Sequence, residues 1–381
     1  MGSADVLIVG AGPAGALAAL ILARAGLAVR LLDRACFPRD KLCGDTLNPG
    51  SLAILERHGL AAAVRGRAIP ITGMTVTGPG GSAVTADYPH RLTGLAITRR
   101  HLDAILVDAA AGGGVRFDAG VAAVAPVMSA DGVRVEGIRT ARCGVQEVLR
   151  APIVIAADGR ASRIGAALGL TRFAPAPRRW AYGTYFEGVE GLTARGEMHI
   201  RPDGYLGVAP LPEGRANVCV VREARRNASR FDPRATVAAA VSSDPVLRER
   251  FRRATLAADV VILGPLAVDA STAGVPGLLL AGDAAGFVDP MTGDGLRFAL
   301  RGAELAAEAA LTELSEGVPA FDRLHAARVR EFAAKWRVNR ALRALVGSPR
   351  ALDAAARLAR RWSTPVEYLI GFAGDIPSPK A

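Results

Sequence analysis

The sequence predicts a mixed α/β fold: a parallel sheet assembled from separated stretches of chain, an antiparallel sheet inserted between them, and a helical C-terminal segment. Three observations predict it. An unbroken apolar run, VLIVGAGPAGALAALILA, fills residues 6–23 and is divided by Gly10, Gly12, Pro13 and Gly15. Short apolar strands ending in carboxylates return far downstream, at 151–157 before Asp158-Gly159 and at 278–281 before Gly282-Asp283. Between them, residues 180–222 alternate, as in YGTYFEGV and ANVCVV, the period of strands with one buried face.

The opening run is long enough to tempt a membrane reading, since about 20 apolar residues of helix cross a bilayer. Its glycines argue for strand, turn and helix instead. Val6, Ile8 and Val9 suit a buried strand, and no basic region precedes them as a signal peptide requires. The spacing Gly10-x-Gly12-x-x-Gly15 is the dinucleotide fingerprint. The first glycine allows the tight turn, the second lets backbone approach a pyrophosphate, and the third lets helix pack on strand. Ala14 lies within the same turn. The helix N-terminus presents free N–H groups and partial positive charge to the phosphates. In a chain with 43 glycines the spacing alone is weak; its context makes it specific. A second apolar strand, 27–32, ends at Asp33-Arg34, and an acidic side chain about 20 residues past the glycines is what a ribose diol needs.

The other elements follow in order. A polar loop, FPRDKLCGDTLNPG, leads to a helix over 51–64. Residues 69–88 alternate around Gly78-Pro79-Gly80-Gly81 and predict a hairpin. A helix over 100–111 ends at Gly112-Gly113-Gly114. Short strands with an Asp131-Gly132 turn fill 115–149. Then come the 151–157 strand, the alternating 180–222 segment and the 278–281 strand, with helices in most of the rest. A nucleotide sheet interleaved in this way differs from the contiguous one of hydride-transfer dehydrogenases.

Composition narrows the function. With 381 residues and 50% hydrophobic content the chain supports a large core. Cys36, Cys43, Cys143 and Cys219 show neither metal-ligand spacing nor a disulfide framework, which suits a reducing cytoplasm. The five histidines form no metal pair, so no metal is expected. Net charge is +11, carried almost wholly by arginine; the lysines are Lys41, Lys335 and Lys380. Such charge suits an anionic partner. Aromatics are only 5% and do not interleave with basic residues, which disfavours nucleic acid.

Three stretches in this order, VLIVGAGPAG (6–15), AADGRASRIG (156–165) and LLLAGDAAGFVDPMTGDGLRFAL (278–300), resemble the FAD-dependent oxidoreductases that share a fold with aromatic hydroxylases, the group A flavin monooxygenase-like superfamily. Within that superfamily, FPRDKLCGD (37–45) with PMTGDGL (290–296) is most similar to the geranylgeranyl reductase group, as are Pro349, Pro365 and Gly374-Asp375. The resemblance implies a Rossmann-like FAD-binding domain of the glutathione-reductase type, made from 1–68, 98–168 and 264–312. It further implies a substrate-binding sheet from 69–97 and 169–263 and a helical segment over 313–381.

The cofactor-binding positions implied are Gly10, Gly12, Ala14, Gly15, Asp33, Arg34, Cys43, Gly44, Arg99, Val121, Asp158, Gly159, Asp283, Pro290, Gly293, Gly295 and Leu296. Asp283, at a strand end, can accept hydrogen bonds from the ribityl chain, or cap a helix. Asp158-Gly159 lies near the pyrophosphate in the family, and also reads as a plain turn. Arg99 matches a cofactor contact, with Arg100 competing; Val121 matches a backbone position near the adenine. Gly293 and Gly295 let backbone lie against a flat ring, and the helix from Leu296 points its positive end at the pyrimidine edge. Cys43 either lines the pocket or fills a gap. Tyr182, Tyr185 and Tyr205 line the substrate cavity or pack the core.

The resemblance implies reduction of a C=C bond in an apolar isoprenoid or secondary-metabolite substrate, with electrons from transient NAD(P)H or another donor, since no second fingerprint marks a permanent nicotinamide domain. A monooxygenase acting on an aromatic or polyketide-like substrate is the alternative; a non-catalytic electron carrier is another. The reductase group has Trp where Gly207 stands in Tyr205-x-Gly207-x-x-Pro210, which implies a wider cavity here. The Lys and W-x-W-x-I-P features of halogenases are absent, the nearest piece being Trp180-Ala181-Tyr182, so halogenation is disfavoured. The expected location is cytoplasmic. The basic C-terminal stretch carries Phe332, Trp336 and Leu342, which pack on the flavin domain or contact the inner face of a membrane peripherally.

Overall fold

The computed structural model describes residues 4–79, 82–175, 178–223, 232–346, 348, 350–351, 354–355, 357, 362 and 364–374. Gly80, Gly81, Pro349, Asp375 and Lys380, used in the sequence reading, lie outside the described residues.

The central sheet has six strands in the order Gly274–Val275, Leu278–Leu280, Ile153–Ala156, Val6–Val9, Val29–Asp33 and Arg116–Ala119. Every pair is parallel except the first. Val6–Val9, Ile153–Ala156 and Leu278–Leu280 are buried at every position, as strands covered on both faces must be. Helices Pro13–Arg24, Arg99–Gly112 and Gly295–Glu316 cover one face. Ala122–Met128, Val135–Arg142 and Val145–Arg150 form a small antiparallel sheet over the other. The apolar run at 6–23 is thus strand, turn and helix inside a core; no helix among the described residues is long and apolar enough to cross a membrane.

The inserted sheet has eight strands. Arg179–Glu187, Arg215–Glu223, Gly204–Pro210 and Arg195–Arg201 are antiparallel neighbours. The hairpin Gly73–Thr77 and Ala83–Asp87 joins them through a parallel pair, Arg195–Arg201 with Gly73–Thr77. Alternation cannot signal that pairing, because both kinds of strand share a period of two. The register sets Met198 opposite Gly207 and Ile200 opposite Tyr205. One face therefore carries Ala181, Met198, Ile200, Tyr205 and Cys219 toward the loop holding Phe287 and Met291. The other buries Tyr182, Phe186, Leu206 and Val208 against helix Pro233–Ser242.

Two elements differ from expectation. The helix expected at 51–64 is a pair, Pro49–Arg57 and Ala61–Arg65, parted at Gly59 with φ +70. Asn48 caps the first, its side chain accepting from Ser51 N at 2.8 Å. The helix expected at 100–111 starts one residue earlier, with Thr98 as its cap, so Arg99 is its first residue. Toward the C-terminus, helix Phe321–Val346 places Phe332 in the main core, edge-to-face with Phe298 at 5.0 Å. Trp336 packs partly against the same core. Helix Thr364–Ala373 closes the described chain.

Candidate functional site

The glycine turn is built by close approach. Gly10 has φ +99, and a Cβ there would lie 2.4 Å from Ala157 O. A Cβ on Gly15 would lie 1.8 Å from Gly10 O. Gly12 differs: a Cβ there would meet only the guanidinium nitrogens of Arg39 and Arg99, at 3.7 and 3.8 Å. A helix N-terminus and two guanidinium groups around one bare glycine make a space for an anion. Asp33 braces the turn. Its Oδ2 accepts from Ala11 N and its Oδ1 from Ala35 N, both at 2.9 Å. Val121 N donates to Asp33 O at 2.9 Å, and its side chain is buried.

A cavity of about 530 Å³ runs from this turn to the inserted sheet. Gly12, Ala14, Arg34, Cys43, Gly44, Arg99, Asp158, Gly159, Asp283, Pro290, Gly293, Gly295 and Leu296 all line it. Gly10, Gly15, Asp33 and Val121 stand behind that lining, shaping the turn and the adjoining strand ends.

The end near Gly12 is rich in charge. Arg99 is clamped by Asp103, Nε to Oδ1 at 2.7 Å and Nη2 to Oδ2 at 2.8 Å, and Arg39 reaches Asp103 at 3.2 Å. Lys41 and Arg160 line the cavity without an ion-pair partner among the described residues. Burial, with Arg99 adding to it, pulls the Lys41 ammonium below its ordinary range. Burial pushes the Asp283 carboxyl up, opposed by Lys41, Arg99, Arg160 and Arg328. The Asp283 carboxylate accepts no hydrogen bond from the described residues, while its backbone carbonyl accepts from Gly286 N at 3.1 Å; Ala281, not Asp283, caps its short helical turn. Asp158 Oδ2 accepts from Arg163 N at 2.9 Å. Among the described residues, Asp158 Oδ1, Arg160 Nε and Arg328 Nη1 are buried without a hydrogen-bond partner. Buried polar atoms are normally paired, so a cluster of orphans beside a cavity marks the place of a polar ligand. Cationic donors suit phosphates, and the carboxylates suit hydroxyls. These residues fit FAD.

The far end is apolar. Met198, Ile200, Tyr205 and Gly207 come from the inserted sheet, Leu342 and Leu345 follow from Phe321–Val346, and Leu369, Ile370 and Ala373 from Thr364–Ala373. A Cβ on Gly207 would meet nothing nearer than 4.0 Å.

The three tyrosines part ways. Tyr205 lines the cavity; its hydroxyl donates to Asp289 Oδ1 at 2.5 Å, and Arg179 Nη1 holds Asp289 Oδ2 at 3.2 Å. Burial and Asp289 push the Tyr205 phenol well up. Tyr182 does not line the cavity: its odd–even position puts it on the opposite face. Tyr185 lies on the cavity-facing side, but does not line the cavity either. Its hydroxyl donates to Asp45 Oδ2 at 2.8 Å and seals that corner. Leu342 lines the cavity while Phe332 and Trp336 pack inward, so the stripe read from the sequence is internal.

Asp45, Lys41, Arg160, Asn217 and Asp289 were not singled out by spacing. Lys41 carried a signal, as one of three lysines in an arginine-rich chain. Asp45 is fully buried with φ 54. It accepts from Tyr185, from Asn217 Nδ2 at 2.9 Å and from Arg99 N at 3.2 Å. Asn217 also donates to Cys43 O at 2.8 Å, fixing the Cys43–Asp45 loop. Burial raises the Cys43 thiol, so it keeps its proton and is a poor nucleophile.

Burial raises Asp45 to about 6, despite the bonds from Tyr185, Asn217 and Arg99. The folded state therefore holds this proton more tightly than the unfolded chain. The associated stability is full below the unfolded carboxyl pKa of about 4 and is lost as pH rises through about 6, roughly 3 kcal/mol in all. Denaturant melts between pH 4 and 7 should show that loss in the wild type and a flatter profile in Asp45→Asn. Identical slopes would remove Asp45 as the source.

Among known proteins, a family model described as an FAD binding domain matches residues 3–328. The menaquinone reductase of Mycolicibacterium smegmatis is 31% identical over 98% of this chain and 92% of its own. The digeranylgeranylglycerophospholipid reductase of Methanoculleus marisnigri is 30% identical over 82% of this chain and 78% of its own. A solved myxobacterial chondrochloren halogenase superposes with TM-score 0.82 at 22% identity, covering 99% of this chain and 98% of that one. The flavin-dependent brominase Bmp2 gives TM-score 0.84 at 19% identity, over 98% and 94%. At such identities the likeness is one of fold.

Proposed function

The chain belongs to the FAD binding domain family and is an FAD-dependent oxidoreductase; on that premise we propose that it reduces a carbon–carbon double bond of an apolar substrate, isoprenoid or secondary-metabolite in kind. The observation that carries this reading is the single cavity whose charged end adjoins an apolar wall of Met198, Ile200, Leu342, Leu345, Leu369 and Ile370. Reductases at 30% identity or more span most of the chain, which favours reduction over the halogenase chemistry of its structural neighbours. On this reading 1–68, 98–168 and 264–312 form the FAD domain, and 69–97 with 169–263 the substrate sheet.

Bound FAD would supply a hydride equivalent drawn from NAD(P)H or another donor. The chain's residues do the rest. Gly12, Lys41 and Arg160 receive the phosphates, while Asp158 and Asp283 accept from hydroxyls. The start of helix Gly295–Glu316 would offer partial positive charge to the ring's pyrimidine edge. The sheet face excludes water from the reacting carbons. Tyr205 keeps its proton on the bond to Asp289 and serves as wall; the Cys43 thiol keeps a proton inside the cavity.

The test is the purified protein's spectrum, followed by anaerobic turnover with polyprenyl and quinone alkenes. Flavin absorbance and a saturated product support the reading. A flavoprotein that yields only hydroxylated product in air would replace it with the monooxygenase. A colourless protein that takes up no FAD would end it.

A lipid substrate also implies a peripheral membrane contact. Trp362, just ahead of helix Thr364–Ala373, and Tyr368, on that helix, are 59% and 64% exposed and are the side chains for it. Co-sedimentation with anionic vesicles at low salt should fall severalfold in the double alanine variant; background binding by the wild type would remove this contact.

A further inference from the structure

Helix Phe321–Val346 holds the segment 285–297, a loop and the start of helix Gly295–Glu316, along one stripe. Arg328 Nη2 donates to Ala285 O at 3.0 Å, and Arg297 Nη2 donates to Glu331 Oε1 at 2.8 Å. Lys335 Nζ donates to Asp294 Oδ1 at 2.8 Å, and Thr292 Oγ1 to Asn339 Oδ1 at 2.7 Å. Steps of three and four put these residues on a single face. Arg328, Lys335 and Asn339 are buried.

Lys335 also reaches past the loop. Its Nζ donates to Phe372 O at 2.9 Å and stands 5.1 Å from the Phe372 ring centroid. Asn48 repeats the bridge, Nδ2 donating to Ala373 O at 2.7 Å and to Asp294 Oδ1 at 3.3 Å. Gly50 N donates to Gly374 O at 3.1 Å. The last turn of Thr364–Ala373 therefore gives its orphan carbonyls, which a helix end must satisfy, to groups tied to Asp294. Asp294 and Lys335 stand behind the cavity lining, but both ends of this bridge adjoin it: Gly293 and Gly295, which flank Asp294, line the cavity, and so do Leu369, Ile370 and Ala373 of the apolar wall.

We propose that Lys335 is a positioning residue for the flavin reaction, its ammonium setting the charge beside the helix start at Gly295 and, through Phe372, holding the wall of the substrate chamber. This rests on the reading of the cavity as an FAD site. An anionic Asp294 next to the helix start opposes negative charge gathering on a reduced ring; Lys335 offsets it. Without the ammonium, the buried carboxylate beside the helix start loses the charge-assisted bond from Lys335.

The test uses the FAD-loaded full chain. Lys335→Met should lower the preference for reduced over oxidised flavin about tenfold, which is about 30 mV in a two-electron couple. Asp294→Asn should move it the other way, and the double variant should return to the wild-type potential. Amide exchange in 364–373 should be faster in both variants lacking Lys335. A purely structural role would not give the return. An FAD-loaded Lys335→Met with unchanged potential overturns the proposal, as does a double variant that keeps the single variant's shift. If Lys335→Met loses its flavin, the comparison of Asp294→Asn with the double variant decides: a lower potential in the double supports it, and equal potentials overturn it. Wild-type protein that takes up no FAD would overturn the cofactor reading first, before any variant is made.

Discussion

Gly15→Ala should cost at least about 3 kcal/mol of stability and abolish FAD binding, because one added methyl has nowhere to go. Its Cβ would sit 1.8 Å from Gly10 O, and the carbon behind that oxygen is only 3.0 Å away. Both are backbone of the turn itself, so no side chain can swing aside. Relief would require helix Pro13–Arg24 to lift from the strand, opening the contacts of Leu17, Leu20 and Leu22 in the main core. Gly12→Ala is the matched control. Its methyl meets only the tips of Arg39 and Arg99 at 3.7 and 3.8 Å, so the fold should hold while the methyl stands where a phosphate must approach. FAD affinity should fall about 10- to 100-fold, the equivalent of about 1.4 to 2.8 kcal/mol. Thermal melts and flavin-fluorescence titrations of both variants separate the two effects. A Gly15→Ala protein as stable as the wild type would refute the packing argument, and unchanged FAD affinity in Gly12→Ala would move the phosphate site elsewhere.

Gly207→Trp should leave FAD binding within a few fold and reduce turnover of long apolar substrates by at least about 100-fold, on the order of 2.7 kcal/mol in transition-state stabilisation. Gly207 faces the cavity between Tyr205 and Ala209, opposite Met198 on the neighbouring strand. The space above it is open, with its nearest atoms 4.0 Å from a built Cβ, so an indole can enter without displacing backbone. It would occupy the apolar wall of the proposed substrate chamber. Gly207→Ala, adding one methyl in ordinary contact, should retain turnover. Steady-state kinetics on a short and a long alkene check this: the short substrate should lose less than the long one. Equal activity of the Trp variant on both, at the wild-type rate, would place the substrate on another surface.

The three segments that meet in the central sheet were legible because each is an apolar strand closed by glycine, Gly10, Gly159 or Gly282, with Asp158 and Asp283 beside the last two. The Gly10–Gly15 spacing is a demand of local backbone geometry, since the turn, the approach and the helix start lie within six residues. Less was legible where chemistry depends on partners far along the chain. Asp45 meets Tyr185 and Asn217 across 140 and 172 residues, and Lys335 meets Asp294 across 41. Nothing in the loop FPRDKLCGD says that its lysine faces the cavity while its second aspartate is sealed away.

By itself, then, the sequence determined the strand–turn–helix at the N-terminus, the short apolar strands that return far downstream and the alternation of the inserted sheet, because dihedral preference and side-chain periodicity act over a few residues. Only the tertiary structure decided which tyrosine lines the cavity, that the hairpin enters the sheet in parallel, and which buried charges compensate one another. Those outcomes rest on burial and on Coulomb and hydrogen-bond partners, which exist only when distant parts of the chain are brought together.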